Sequence, residues 1–533
     1  MTGRPASIGL RIALLASLPM LAGASEPAPG PASAAANSCS AITQAAFGRD
    51  VEITRAAHVP AAAPGTVPDG RGSVLKAGLP AFCKVEGTIN SRTGQGGATY
   101  GIGFELALPD QWNGRFLLQG GGGLNGSIRP ALGADAAGDQ PALSRGFAVL
   151  SHDSGHQGAV FDDSFRIDQR AALDFAEASV RTVALVGKDI TRTLYGRGIS
   201  HSYMAGCSTG GREGMLASQR YPELFDGIVV GAPAMRTGFS NLGTSFAKVQ
   251  FNQAAPRDAG GLALPEQAFS VADRKTILDG MLAQCDALDG LADGMIMNVA
   301  QCRFQPAKLQ CTGSKKEGCL SGAQVGALER AFAGPRDATG HALYVPFPFD
   351  TGVVDISGPI SGFIVNGKPD IFGPANRDVT MDVDAAAWAV RADAMQRLTD
   401  TNVWTGLNTF LDRGGKILFY HGVSDPWFSA FDTWDYWQRA REANGAEAWD
   451  AASRFYMIPG MAHCGGGNAF DNFDLLSEVV EWVEQGKAPV APVARRNADP
   501  AQERPLCHYP AYPRYTGGDA KKASSYSCTE PAA

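Results

Sequence analysis

The chain has 533 residues, of which 44% are hydrophobic and 19% are charged, and its formal net charge at pH 7 is −7. This charge balance, with no cluster of Lys and Arg, argues against a nucleic-acid partner, because phosphate binding needs concentrated positive charge. The chain is too long for one compact core, so we expect two or three domains or one domain enlarged by an insertion.

The N-terminus is typical of an exported protein. Residues 1–24 combine the charges of Arg4 and Arg11 with an apolar stretch and an Ala-Gly-Ala site, which predicts a cleaved signal peptide. The apolar stretch is too short for the alternative, a membrane anchor, and no later segment predicts a membrane span. Residues 25–36, rich in Pro, Ala and Gly, are interpreted as a flexible leader. The sequence therefore predicts a secreted or periplasmic protein.

The first half of the chain alternates short apolar strands with amphipathic helices. Strands are predicted at 99–108, 115–119, 146–152, 202–206 and 227–231, and helices at about 168–195 and 211–221. This alternation predicts a mostly parallel sheet with helices on both faces, which is the α/β class.

The alternation breaks after about residue 240 and resumes at about residue 398. We interpret residues 241–397, an irregular segment with four of the ten cysteines, as a lid inserted into a catalytic domain formed by 37–240 and 398–533. The second part of this domain has predicted strands at 416–420 and 454–458 and predicted helices at about 429–443 and 470–485.

A candidate nucleophile lies in the segment Gly206-Cys207-Ser208-Thr209-Gly210. A G-x-S-x-G pattern between a strand and a helix predicts a sharp turn that exposes the serine hydroxyl, as in α/β-hydrolases. We expect the oxyanion to be bound by the backbone amides of Thr209 and of Gly123, which ends a run of four glycines after the strand at 115–119. The alternatives are a chance match in a Gly-rich chain and a merely flexible turn.

The acid and the base are expected on loops after later strands, in the order Ser, Asp, His. His463 follows the strand at 454–458 and is the predicted general base, whereas His421 directly ends a strand. Asp425 follows the strand at 416–420 and is the predicted orienting acid; Asp432 falls in the next helix. The lid is therefore inserted between the nucleophile and acid regions of an α/β-hydrolase fold.

Two cysteines flank the candidate catalytic residues. Cys207 precedes Ser208 and Cys464 follows His463. If the serine and the imidazole meet, their neighbours approach to a separation that a disulfide bond allows. We predict this bond, and the alternative is two buried thiols. An even number of cysteines behind an export signal favours disulfides, and metal binding is disfavoured because no Cys-x-x-Cys pair exists.

The sequence resembles the tannase and feruloyl esterase family over nearly the whole mature chain. The motifs that carry the resemblance are WNGRFLLQGGGGLNG (112–126), GCSTGGREGM (206–215), CDALDGLADG (285–294), YHGVSD (420–425) and PGMAHC (459–464). The resemblance implies five disulfides: Cys39–Cys83, Cys207–Cys464, Cys285–Cys302, Cys311–Cys319 and Cys507–Cys528.

The resemblance also implies a structural calcium ion in the lid. Its ligands would be the carboxylates of Asp286, Asp289 and Asp293 and the backbone carbonyls of Leu291 and Met295. Carboxylates interleaved with glycines suit a hard cation with oxygen ligands. The alternative is an acidic turn without a metal.

The candidate catalytic residues predict a serine esterase, and the resemblance implies that it cleaves esters of aromatic acids, such as gallate, ferulate and related hydroxycinnamates. Alternatives are hydrolysis of terephthalate half-esters, a non-catalytic polyphenol- or carbohydrate-binding protein, and a peptidase. The candidate substrate contacts in the lid are Phe363, Phe372, Arg377 and Trp388, for which lid packing and surface charge are the alternatives. The sequence does not indicate an oligomeric state.

Overall fold

The computed structural model describes residues 38–48, 50–70, 72–354 and 377–532. The predicted signal peptide, the predicted leader and two candidate substrate contacts, Phe363 and Phe372, lie outside the described residues. Within these ranges, no helix has the length and apolar character that crossing a membrane requires.

A nine-stranded sheet organises the described residues. Its strands are β1 (Val51–Val59), β2 (Phe82–Thr93), β3 (Thr99–Pro109), β4 (Arg115–Gln119), β5 (Ala148–His152), β6 (His201–Cys207), β7 (Gly227–Gly231), β8 (Lys416–Gly422) and β9 (Ser453–Ile458). Their spatial order is β1-β2-β3-β5-β4-β6-β7-β8-β9. The pairs from β1 to β5 are antiparallel, and all pairs from β5 to β9 are parallel.

This sheet confirms the α/β-hydrolase fold. The chain passes from β4 to its neighbour β5 and then crosses back over β4 to β6, after which the strands follow each other in sequence order. The candidate nucleophile follows β6, the candidate acid follows β8 and the candidate base follows β9. Since these strands are parallel, their carboxyl ends lie at one edge of the sheet, and the three side chains share that edge.

Helices cover both faces of the sheet. Their bounds are α1 (Gln169–Leu173), α2 (Ser179–Tyr195), α3 (Thr209–Arg220), α4 (Thr237–Ala254), α5 (Val271–Cys285), α6 (Gly322–Ala333), α7 (Val383–Ala392), α8 (Ala394–Thr399), α9 (Asn408–Asp412), α10 (Ala430–Asn444), α11 (Ala446–Asp450) and α12 (Leu475–Gln485). A π-helical turn over Asp174–Ala178 joins α1 to α2. Alternate residues of β4 enter different cores: Phe116 packs with α2 and α3, and Leu117 packs with α12.

The insertion between β7 and β8 is helical, whereas the sequence analysis described it as irregular. Helices α4 to α9 lie in it, and its own apolar core includes Phe251 and Phe332. Two of these helices start with reciprocal capping boxes, Ser270 with Asp273 and Ser321 with Gln324. Such caps satisfy the first free amides of a helix, and a hydrophobic-period argument does not detect them.

Five disulfides join the described cysteines in the pairs that the family resemblance implies: Cys39–Cys83, Cys207–Cys464, Cys285–Cys302, Cys311–Cys319 and Cys507–Cys528. Beyond the sheet, the short strands β10 (Val493–Arg495) and β11 (Glu503–Pro505) form one pair, and β12 (Tyr512–Tyr515) and β13 (Tyr526–Thr529) form another. The first disulfide joins the segment before β1 to β2, and the last joins the segment before β12 to β13. The tail is thus ordered by hairpins and one disulfide.

Candidate active site

Ser208 lies at a sharp turn between β6 and α3. Its backbone adopts φ 64° and ψ −122°, and helix α3 begins at the next residue. The left-handed φ costs energy for a residue with a side chain, so the surrounding contacts must hold it. Gly206 and Gly210 allow those contacts, because a Cβ atom on Gly206 would come within 2.7 Å of the Gly210 backbone. The strained turn between a strand and a helix is the geometry expected of the predicted nucleophile elbow.

His463 and Asp425 form a hydrogen-bonded pair. The Nδ1 atom of His463 lies 2.6 Å from an Oδ2 atom of Asp425 whose side chain is fully buried. The other carboxylate oxygen accepts from the amides of Trp427 at 2.9 Å and Phe428 at 3.1 Å. Because Nδ1 donates to the carboxylate, Nε2 is left as an acceptor, and it is buried with no hydrogen-bond partner among the described residues. This tautomer suits a general base.

A second histidine contacts the same carboxylate. His421 is completely buried, and its Nε2 lies 3.2 Å from Asp425 Oδ2, while its Nδ1 lies 2.8 Å from the Thr433 hydroxyl. Burial acts to raise the pKa of Asp425, but the His463 and His421 imidazoles outweigh it, and the net pKa is lowered. Asp425 is therefore an anion at neutral pH, as an orienting acid must be.

The Cys207–Cys464 disulfide joins the two catalytic loops. The two Cα atoms are 5.9 Å apart, and the sulfur atoms close a sequence separation of 257 residues. Since each cysteine is the immediate neighbour of a candidate catalytic residue, the bond fixes the elbow beside the His463 loop.

The candidate oxyanion donors come together at the same place. Gly123 has φ 59°, in the left-handed region, and its carbonyl accepts a hydrogen bond from the Thr209 hydroxyl. The carbonyl of Gly121 accepts from the Gly210 amide at 3.1 Å. Hydrogen bonds thus join the glycine loop directly to the start of α3. One predicted oxyanion donor, the Gly123 amide, lies in the loop, and the other, the Thr209 amide, lies at the start of the helix.

A cleft of about 1210 Å³ opens over these groups, and Ser208, His463, Gly123 and Thr209 all line it. Four phenylalanine and tryptophan side chains line it, Phe161, Phe175, Trp427 and Phe428, and three of them, Phe161, Trp427 and Phe428, form an aromatic wall beside His463. The rings of Trp427 and Phe428 lie 4.8 and 5.3 Å from the His463 ring, and Phe161 meets Trp427 edge-on at 6.3 Å. These rings offer a planar substrate a contact surface beside the candidate base.

Two predicted substrate contacts lie away from this cleft. The Arg377 guanidinium pairs with the Asp258 carboxylate and donates to the Ala263 carbonyl at 2.7 Å, so it is used within the insertion. Trp388 is 71% exposed on α7. Neither side chain belongs to the described wall of the cleft, and their contact with substrate stays a prediction.

The acidic turn after α5 holds the predicted calcium ligands. Asp289 is buried, and its burial, together with the charges of Asp293 and Asp286, raises its pKa to about 7. The Asp286 carboxylate accepts from the Asp293 and Gly294 amides at 3.1 and 3.0 Å. Arg504 donates to Asp293 at 2.6 Å and brings one side-chain cation to the cluster.

The side chains and carbonyls of this turn are oxygen donors, the kind that a hard cation prefers. Three carboxylates lie close enough together to raise the pKa of Asp289, and the backbone carbonyls of Leu291 and Met295 belong to the same turn. Among the described residues, no group of three or more His, Cys, Asp or Glu side chains is placed so that these side chains alone could bind a metal ion. A cation here would therefore depend on the backbone oxygens as well as on the carboxylates.

Sequence reasoning missed several residues around the site. Trp427 and Phe428 follow Asp425 by two and three residues, so their place in the acid loop could have indicated them. Phe161 comes from the long loop after β5, and Glu213 lies one turn into α3 beneath the glycine loop. No short-range pattern marks the last two, because both act through contacts with distant segments.

Residues 83–529 match the protein family described as "Tannase and feruloyl esterase". A mono(2-hydroxyethyl) terephthalate hydrolase from Piscinibacter sakaiensis is 37% identical, over 85% of this chain and 86% of that protein. Feruloyl esterase B from Aspergillus niger is 30% identical over 86% and 89% of the two chains. The crystal structure of feruloyl esterase B from Aspergillus oryzae superimposes with a TM-score of 0.75 and 26% identity, covering 93% of this chain and all of that one.

Proposed function

Since the chain belongs to the tannase and feruloyl esterase family and is a carboxylic ester hydrolase, we propose that it cleaves esters of aromatic acids through an acyl-enzyme on Ser208. The observation that carries the proposal is the His463 imidazole. Its Nδ1 is held by Asp425, while its Nε2 makes no hydrogen bond to a described residue and the ring lines the cleft beside Ser208.

In the proposed reaction, Ser208 attacks the ester carbonyl and His463 Nε2 takes the hydroxyl proton. The negative charge on the carbonyl oxygen is stabilised by the Gly123 and Thr209 amides, and the alcohol leaves with the proton that the imidazolium returns. Water then attacks the acyl-enzyme with His463 again as base. Throughout, the Asp425 anion holds the ring orientation and stabilises the imidazolium.

The aromatic wall supports an aromatic acyl group. Phe161, Trp427 and Phe428 line the cleft next to His463, where the acyl carbon must lie during attack. Gallate, ferulate and other hydroxycinnamates fit this surface. The 37% identity to a mono(2-hydroxyethyl) terephthalate hydrolase favours a second candidate substrate, a terephthalate half-ester. All of these acids share a flat ring attached to the ester carbonyl or conjugated with it.

One substrate comparison tests the proposal. We expect measurable hydrolysis of methyl gallate, methyl ferulate or mono(2-hydroxyethyl) terephthalate, and the fastest of the three identifies the acyl class. Ser208→Ala should lower kcat by at least about 10³-fold, because it removes the nucleophile. Stoichiometric labelling of Ser208 by a fluorophosphonate is expected. No labelling and no turnover would instead favour a non-catalytic binding protein, and cleavage of a matched amide at a similar rate would favour a peptidase.

We also propose export to the periplasm or the medium. The predicted signal peptide and the five disulfides support it, because disulfides persist in oxidising compartments. Recovery of the mature protein, starting near residue 25, outside the cytoplasm of an expressing bacterium is the expected result.

We further propose that Asp286, Asp289 and Asp293 hold a structural calcium ion with the Leu291 and Met295 carbonyls. The ion would neutralise the acidic turn and would take no part in ester cleavage. We expect a chelator to lower the melting temperature and calcium, but not magnesium, to restore it. Asp289→Asn should remove this response, whereas Asp279→Asn, on the exposed face of α5, should keep it. An unchanged melting temperature with chelator contradicts the proposal.

A further inference from the structure

The proposed oxyanion site is assembled from two separate elements. The Gly123 amide belongs to the loop after β4, and the Thr209 amide belongs to the first residue of α3. A displacement of about 1 Å between catalytic groups can lower a rate by about 10²-fold. The spacing between the two amides therefore depends on whatever holds the loop against the helix.

Glu213 holds the loop on both sides of Gly123. Its side chain projects from α3, one turn after Thr209, and the residue is 1% exposed. Its Oε2 accepts from the Gly121 amide at 2.9 Å, and its Oε1 accepts from Asn125 Nδ2 at 3.2 Å. One carboxylate on the helix thus binds the loop two residues before and two residues after the proposed oxyanion donor.

The surroundings of this carboxylate consist of donors. The Ser154 hydroxyl donates to Oε1 at 3.2 Å. The His152 Nδ1 accepts from the Ser154 amide at 3.2 Å, so the ring proton is on Nε2, which lies 3.7 Å from Glu213 Oε2. A carboxylate accepts hydrogen bonds at both oxygens, whereas an amide group would turn its NH2 towards at least one of these donors. With the present partners, a carboxylate at this position therefore accepts all three hydrogen bonds, from Gly121, Asn125 and Ser154, without facing donor to donor.

The two loops that Glu213 contacts are held in uncommon backbone conformations. Asn125 has φ 53° and Ser154 has φ 65°, both in the left-handed region. Such conformations persist in residues with side chains only where surrounding contacts determine them. The Asn125 and Ser154 side chains also hydrogen-bond each other, so both strained residues and Glu213 form one buried network.

We propose that Glu213 is a positioning residue that sets the Gly123 amide at its working distance from the Thr209 amide. The inference rests on the proposed esterase function, because the oxyanion site has a role only there. Glu213 does not touch the substrate and acts only through the Gly121–Asn125 loop. Its removal should therefore affect the tetrahedral state more than substrate binding.

The test compares Glu213→Gln with a matched control, Glu484→Gln. Glu484 also accepts hydrogen bonds from two side chains, the buried Tyr203 hydroxyl and the half-buried Arg115 guanidinium, but at the opposite ends of the strands. We measure kcat and KM on the fastest of the three esters, inhibition by phenylboronic acid, and the melting temperature. Phenylboronic acid forms a tetrahedral adduct with a serine nucleophile and places an oxygen in the oxyanion site.

For Glu213→Gln we expect kcat to fall about 10²-fold and phenylboronic acid to bind more weakly by a similar factor, with KM changed less than about threefold. The control should lose melting temperature while it keeps kcat and boronate affinity. Unchanged kcat and boronate affinity in Glu213→Gln, or equal losses in the two variants, overturn the inference. A wild-type enzyme that hydrolyses no ester and is not labelled at Ser208 overturns the proposed function instead.

A second variant covers the case in which Glu213→Gln does not fold. When Glu213→Gln is combined with Asn125→Asp, the donor and the acceptor exchange places, so the amide group introduced on α3 can donate to the carboxylate introduced in the loop. We expect this double variant to fold and to bind phenylboronic acid within about tenfold of wild type. A folded double variant with no boronate binding overturns the inference, because matched hydrogen bonding would then not be what positions the loop.

Discussion

At the scale of single residues, the acid of the site is bound by two imidazoles instead of one. Asp425 Oδ2 lies 2.6 Å from His463 and 3.2 Å from His421. His421 also reaches the Phe428 carbonyl at 3.0 Å, so its Nε2 proton is shared between two acceptors of the same loop. We interpret His421 as the residue that keeps the acid loop in the conformation that His463 requires.

We predict that His421→Phe lowers kcat about tenfold, far less than the loss of about 10⁴-fold for removal of a triad acid's function. The phenyl ring keeps the volume but leaves the Asp425 carboxylate with one donor fewer. Steady-state kinetics on the fastest ester measures the effect. His508→Phe is the control, because His508 is bonded to Phe455 and not to the acid loop. A kcat equal to that of the control contradicts the interpretation.

A buried histidine next to the cleft gives a prediction about pH. Burial lowers the pKa of His156 from 6.5 to about 4, and its ring stacks on Phe165 at 3.8 Å. Since the unfolded chain binds the proton more readily, the contribution of His156 to stability is complete above about pH 6.5 and is lost as the pH falls towards 4.

We therefore compare the wild type with His156→Phe at pH 7 and pH 4.5. The difference between their free energies of unfolding should shift by about 2.5 kcal/mol in favour of the variant at the lower pH. Denaturant titrations of both proteins at both pH values measure this shift. If the difference between the two free energies of unfolding is the same at both pH values, the His156 imidazole is charged in the folded protein at pH 4.5.

The chemistry of the site was predictable from the sequence, but its support was not. Ser208, Asp425 and His463 stand in local patterns that need only a strand before and a turn or helix after. Glu213 depends on contacts with distant segments. His421 lies only four residues before Asp425, but the strand-and-turn pattern does not mark it as a support for the acid. The candidate catalytic residues are thus easier to predict from the sequence than the residues that hold them in position.

At the scale of elements, one buried carboxylate links the insertion to both catalytic loops. Asp350 lies in the insertion, and its Oδ2 accepts from the Ser424 hydroxyl at 2.5 Å and from the Gly460 amide at 2.7 Å. Ser424 precedes the acid, and Gly460 begins the loop of the base. The insertion therefore takes part in fixing the distance between Asp425 and His463.

We predict that Asp350→Ala lowers both the melting temperature and kcat. It leaves the Ser424 hydroxyl proton and the Gly460 amide proton buried without acceptors, at a cost of about 1–3 kcal/mol for each group. The Ser424 oxygen still accepts from the Gly352 amide at 3.0 Å. Asp337→Ala serves as a control in the same insertion, since Asp337 bonds only within its own exposed turn. Thermal melting and steady-state kinetics measure both effects. If kcat does not change while the melting temperature falls, Asp350 supports the fold alone.

Predicted elements were most accurate where they are buried in the sheet. The strands at 115–119 and 227–231 have the predicted bounds, because each is a short apolar run between turn residues. Strands β1 and β2 are not predicted by the sequence pattern. Strand β1 lies at the edge of the sheet and is mostly half-exposed, so its apolar pattern is weak. Two helices of the insertion, α5 and α6, were missed for a different reason, since their starting signal is the capping box.

At the scale of the whole molecule, the disulfide between the catalytic loops constrains the largest part of the chain. Its loop spans 257 residues, compared with 8 for Cys311–Cys319. In the loop-entropy model, these two bonds stabilise the protein by about 5.5 and about 2.5 kcal/mol. The same bond also holds Ser208 beside His463, which the short loop does not.

We predict that Cys207→Ala with Cys464→Ala lowers the melting temperature about twice as much as Cys311→Ala with Cys319→Ala, and that only the first pair of changes lowers kcat substantially. Calorimetry and steady-state kinetics measure these effects on proteins purified in the same way. Full activity in the first variant would mean that packing alone brings the two catalytic loops together.

The position of this bond has a consequence for biogenesis. As the chain is synthesised, Cys207 emerges well before Cys464, and the four cysteines of the insertion appear in between. Those four close small rings, with separations of 17 and 8 residues, at a lower entropic cost than the ring of 257. Local oxidation is therefore expected to finish first, and it leaves the elbow thiol for its distant partner. We therefore expect nascent chains to be inactive until His463 and Cys464, which lie in the last third of the polypeptide, have been synthesised.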